Sequence, residues 1–105
     1  MISIQIGQSQ RRWRSLDEVE ENWIAQQVNQ RQRDGAAVCV TVEIETRDVH
    51  VVLYCGDCSP SGRGGRTPTE DERRILELWD KLTQGNSLCE PGTIIAFLKQ
   101  LRFRL

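Results

Sequence analysis

Two runs of alternating apolar residues, separated by only a few positions, constrain this chain more than any other feature. From Ala37 to Glu45, the residues Val38, Val40, Val42 and Ile44 alternate with Cys39, Thr41, Glu43 and Glu45. From Asp48 to Cys55, Val49, Val51 and Leu53 alternate with His50, Val52 and Tyr54. A period of two sends successive side chains to opposite faces of a strand, so each run is a strand with one core face and one wetter face. Joined through Thr46 and Arg47, the two runs read as a β-hairpin.

The remaining elements follow from helical spacing and its punctuation. Leu16, Val19, Trp23, Ile24 and Val28 recur at three- and four-residue intervals. Ser15 stands three residues before Glu18, the spacing of a capping box, which predicts a helix from Ser15 to a stop at Gly35. Thr69 and Glu72 repeat the box ahead of the stripe Ile75, Leu78, Trp79 and Leu82, which Gly85 ends. Pro91 suits a first helical turn, and Ile94, Phe97, Leu98 and Leu101 follow at i, i+3, i+4 and i+7. Phe103 and Leu105 fit either a continuation of that helix or a short C-terminal strand. At the other end Ile2, Ile4 and Ile6 alternate as a strand that Gly7 closes, and the polar, basic stretch from Gln8 to Arg14 reads as a loop.

The expected order is therefore β-α-β-β-α-α. It describes an α+β domain with a small mixed sheet of three to four strands and helices packed mainly on one face. Neighbouring strands joined through a helix favour a parallel, right-handed crossover. Trp23, Trp79, Phe97 and Leu98 are expected to share the core, with Trp13 outside it. At 105 residues the chain makes one domain, 1–105, without internal repeats. Its one interruption is the segment from Gly56 to Pro68, which holds four of the eight glycines and two of the three prolines and reads as a flexible connector.

Charge and hydropathy narrow the function classes. Fourteen basic residues against fifteen acidic ones give a net charge of −1, which disfavours binding to nucleic acid or an anionic membrane through overall charge. The longest uncharged apolar run, Ala36 to Val42, is about a third of a bilayer span. Residues Met1 to Gln10 lack the pattern of a secretory signal, so a soluble protein of the bacterial cytoplasm is expected, with its four cysteines reduced or metal-bound rather than in disulfides.

Three local clusters carry chemistry. Cys55-Gly56-Asp57-Cys58 has the spacing with which two thiolates grip one tetrahedral zinc ion, and Cys39, Cys89 and His50 are the available further ligands. Those three match no standard finger or ribbon spacing, and free cysteine also packs as a small hydrophobe, so the expectation is no cofactor, with zinc as a minor alternative. Redox use of the pair is disfavoured because no helix starts beneath Cys55 and Asp57 opposes a thiolate. Arg11, Arg12, Trp13 and Arg14, together with Arg63 and Arg66 in the long connector, offer guanidinium groups and one indole that suit phosphates and a stacked base of a single strand. Acidic residues at 17–21 and 70–72 compensate both segments, and loop arginines are commonly just solvated. His50 has a glutamate on the neighbouring strand but no nucleophile placed by sequence, and the connector glycines match no phosphate loop. No catalytic residue is assigned. By exclusion the chain reads as a small interaction or assembly module for a protein partner or a second copy, with single-strand binding as the alternative and zinc binding third.

Overall fold

A computed structural model describes residues 1–35, 38–56, 67–83 and 90–104 of the chain. It is an α+β fold in which strands β1 (Ile2–Ile6), β2 (Ser9–Trp13), β3 (Cys39–Glu45) and β4 (His50–Gly56) form one sheet in the order β2-β1-β3-β4. Helix α1 (Glu21–Arg33) links β2 to β3, while α2 (Glu70–Thr83) and α3 (Pro91–Arg104) follow the hairpin.

The β3–β4 hairpin forms in the expected register, with Val42 opposite Leu53 and Ile44 opposite Val51. Ile2, Ile4 and Ile6 of β1 stand opposite Ile44, Val42 and Val40, so the apolar sets of three strands share one face. Trp23, Ile24 and Val28 of α1, Ile75, Leu78 and Trp79 of α2, and Ile94, Phe97, Leu98 and Leu101 of α3 join those strand residues in a single buried cluster. The helices therefore lie on one face of the sheet, as their amphipathic stripes require.

Several expectations change. The stretch read as a loop, Gln8 to Arg14, instead supplies strand β2, which folds back on β1 through a tight turn at Gly7 and Gln8. Gly7 has φ 60° and no non-glycine residue among the described residues has positive φ, the pattern of a type II′ hairpin turn. Because β2 reverses the chain before α1, every strand pair is antiparallel and the sheet is not mixed by neighbouring pairs. The expected parallel crossover between neighbouring strands is not formed: β1 and β3 are antiparallel neighbours, and the strands that α1 joins, β2 and β3, lie on either side of β1.

The first helix also begins later than Ser15. Leu16–Glu18 is a single 3₁₀ turn, Val19 is extended, and α1 starts at Glu21. Ser15 makes no side-chain cap; the Glu18 carboxylate accepts the backbone N–H of Arg14 instead. The guanidinium of Arg102 on α3 donates from Nε at 3.2 Å and from a terminal nitrogen at 2.8 Å to the Leu16 carbonyl, pinning this turn to the helical layer. Trp13 is buried, only 8% exposed, and meets Trp23 edge-on with ring centroids 5.7 Å apart. At the other end α3 runs on to Arg104, so Phe103 belongs to a helix and not to a terminal strand.

The second capping box forms as the sequence implies. Thr69 N–H donates to one oxygen of Glu72 at 2.8 Å and Glu72 N–H to the Thr69 hydroxyl at 3.2 Å. The glycine stop at Gly85 and most of the connector lie outside the described residues. Among the described residues no helix is long and apolar enough to cross a membrane.

Candidate functional site

A sheet that does not close has two edges, each a row of backbone donors and acceptors available to another chain. Here the two edges are treated differently. At β4, the Thr46 N–H donates to the Val49 carbonyl at 2.7 Å. Antiparallel alternation then turns Val51, Leu53 and Cys55 toward β3 and leaves the backbone of His50, Val52 and Tyr54 pointing outward. Helix α2 meets two groups of that outward row. The Glu72 carboxylate accepts the His50 N–H at 2.8 Å, and the Trp79 indole Nε1 donates to the Tyr54 carbonyl at 3.1 Å.

At β2 the same reasoning exposes a different row. Gly7 N–H donates to the Cys39 carbonyl at 3.1 Å and Glu45 N–H to the Met1 carbonyl at 2.9 Å, so the odd-numbered residues of β1 bond to β3. Its even-numbered residues, Ile2, Ile4 and Ile6, are therefore bonded to their partners Trp13, Arg11 and Ser9. That leaves the N–H and C=O groups of Gln10 and Arg12 facing outward, with no partner among the described residues. The next N–H in the series, Arg14, is closed off by the Glu18 carboxylate at 3.1 Å. The open edge is thus short and bounded, two outward-facing residues long.

Strand parity also separates the side chains of the basic segment. Arg11 and Trp13 turn to the helix face and Arg12 to the opposite face. Arg11 forms an ion pair with Glu20, both about half exposed, and its guanidinium carbon lies 5.3 Å from the centre of the Trp23 ring. Between them runs a groove of about 540 Å³ lined by Arg11, Val19, Glu20, Trp23, Gln26 and Arg102, among others. Arg12 is exposed on the other face. Arg14, also exposed, lines a second groove of about 390 Å³ where Ile2 and Ile44 end their strands. Neither Arg12 nor Arg14 has an acidic partner for its side chain among the described residues. Arg63 and Arg66 lie outside those residues.

The cysteines depart from the sequence expectation of reduced or metal-bound thiols. Cys39 and Cys55 are both disulfide-bonded, and a sulfur in a disulfide has no thiolate to give to zinc. Val40 is the register partner of Cys55, which puts Cys55 on the helix face and Cys39 on the other, so the two are not bonded to each other. Cys58 and Cys89 lie outside the described residues. His50, the remaining candidate ligand, sits on the face without described helices. Its Nε2 lies 3.2 Å from a Glu43 oxygen, and donor atoms of Glu43, Glu45 and His50 fall within 4.8 Å of one another. The β3–β4 register brings them together, since Glu45 is opposite His50 and Glu43 two residues along the same face. This half-exposed cluster has the geometry of a surface ion pair with a second carboxylate nearby.

Sequence reasoning missed the open backbone of Gln10 and Arg12 because β2 has little hydrophobic alternation: only Trp13 is fully buried in it. The one available signal was Gly7 followed by a polar residue, a two-residue turn with its glycine in first place. Compared with known protein families, curated proteins and solved structures, the chain matches none of them.

Proposed function

We propose that this chain is a protein-interaction domain that receives an extended segment of a partner alongside β2 as a fifth strand. The observation that carries the reading is the contrast between the two edges: α2 takes up the His50 N–H and the Tyr54 carbonyl of β4 with a carboxylate and an indole, while the N–H and C=O groups of Gln10 and Arg12 meet no group among the described residues. Strand addition satisfies those groups with main-chain hydrogen bonds and lets alternate side chains of the incoming segment reach the two faces. On the helix face, the residue beside Arg11 would meet the groove at Trp23 and Glu20.

The single-strand binding reading draws less support. Stacking needs an accessible ring, and Trp13 is packed against Trp23. For the compartment, the disulfides of Cys39 and Cys55 favour an oxidising environment over a reducing cytoplasm.

The test is capture of the partner from the native host, followed by amide exchange with and without it. Protection gained at Gln10 and Arg12 is the expected result. A captured partner that slows exchange elsewhere and leaves both amides unchanged removes the reading.

A further inference from the structure

The β3–β4 hairpin gathers one histidine and two glutamates on the face of the sheet without described helices, and from their convergence we infer that Glu43, Glu45 and His50 form a binding site for one zinc ion. Donor atoms of the three side chains lie within 4.8 Å of one another, the one such group of histidine, cysteine or acidic side chains among the described residues. His50 Nε2 and a Glu43 oxygen are 3.2 Å apart. Tetrahedral zinc with ligand bonds of about 2.1 Å holds neighbouring donor atoms about 3.4 Å apart, so this edge of the site is already close to its coordinated length. Glu45 completes the triangle from directly opposite His50. Because Thr46 and Val49 bond to each other, Glu45 and His50 form the next, non-bonded pair, in which side chains of an antiparallel ladder stand closest.

The fold itself holds the three backbones in place. Strand β3 lies between β1 and β4, the turn closes next to Glu45 with the Thr46 N–H 2.7 Å from the Val49 carbonyl, and Glu72 accepts the His50 N–H at 2.8 Å. A surface ion pair matches one carboxylate to one imidazolium; a dication neutralises both carboxylates while the imidazole gives its lone pair. The N-terminal ammonium engages the main-chain carbonyl of Glu45 and not its carboxylate. Imidazole selects zinc over magnesium and calcium, which take oxygen donors. Three protein ligands leave the fourth position to water, the open form of a zinc site. The site shares only His50 with the cysteine-based set that the sequence suggests, since Cys39 and Cys55 are disulfide-bonded.

The experiment titrates Zn²⁺ alone into the full, untagged and unreduced chain, with any reactive thiols alkylated first, and follows it by calorimetry and by the imidazole NMR signals. His50 is the single histidine, so its ring signals assign themselves. One equivalent is expected to bind and to shift them. His50→Gln should weaken binding at least about tenfold, and so should Glu43→Gln combined with Glu45→Gln, with circular dichroism confirming that the fold is kept. Mg²⁺ and Ca²⁺ at the same concentration should neither shift the ring signals nor displace Zn²⁺. The imidazole readout uses the parent chain, so the test stands even where a variant fails to fold. Absence of saturable Zn²⁺ binding leaves a surface ion pair only and overturns the inference. Binding that leaves the imidazole signals unmoved, that persists undiminished in either variant, or that calcium matches overturns it as well.

Discussion

The Glu72 carboxylate accepts the N–H of Thr69 through one oxygen and the N–H of His50 through the other, each at 2.8 Å. One buried side chain, 1% exposed, therefore caps the N-terminus of α2 and covers the first outward-facing donor of the β4 edge. Glu72→Ala leaves both donors without their acceptor and is expected to cost about 2–4 kcal/mol. Thr69→Ala removes only the reciprocal half of the box and should cost about 1 kcal/mol. Urea unfolding of the two variants checks the order, and faster exchange of the His50 amide in Glu72→Ala marks the loss of cover. A Glu72→Ala protein as stable as Thr69→Ala would show that the β4 contact contributes nothing.

Trp79 makes two separable contributions. Its ring meets Phe97 edge-on at 4.9 Å between centroids, and its indole N–H donates to Tyr54. Trp79→Phe keeps most of the packing but drops the donor, for an expected loss of about 1–2 kcal/mol. Trp79→Ala also opens a cavity and should cost about 3–5 kcal/mol, a large share of a small domain's stability. The difference between the two midpoints measures packing apart from edge cover.

All three tryptophans are buried, with Trp13, Trp23 and Trp79 exposed by 8%, 9% and 4%. Iodide is therefore expected to quench the native protein weakly and the urea-unfolded protein strongly. Single-tryptophan variants assign the result to each ring. Strong native quenching of Trp13 alone would place β2 away from the helical layer.

Cys39 and Cys55 should not react with a thiol reagent in the unreduced, denatured protein. Proteolysis without reductant should never yield Cys39 linked to Cys55, because the two point to opposite faces of the hairpin. Reduction is expected to lower stability by about 2–4 kcal/mol for each bridge lost, read as a fall in the urea midpoint. Finding two free thiols at these positions, or a bridge between them, contradicts the structure.

Local periodicity determined a large part of this protein. The alternation from Val38 to Ile44 and from Val49 to Leu53 specified the β3–β4 hairpin and which side of it is core, since a one-residue slip would turn every valine to water. Thr69 and Glu72 specified the start of α2, and the stripes of α2 and α3 specified their buried faces, because caps and helical spacing act within one or two turns. Tertiary structure decided what no local pattern encodes. Ser9 to Trp13 became a strand because Ile2, Ile4 and Ile6 offered it a partner, although four of its five residues are polar. Once that strand reversed the chain, neighbouring strands had to run antiparallel and α1 had to start beyond the 3₁₀ turn held by Arg102. The same packing placed Trp13 inside and Arg12 outside, and let Glu72 reach His50 across 22 residues of sequence. The contrast between a partly covered and an open edge arises only when these distant segments meet, since backbone groups are matched by whichever chain lies beside them and every residue except proline carries the same pair.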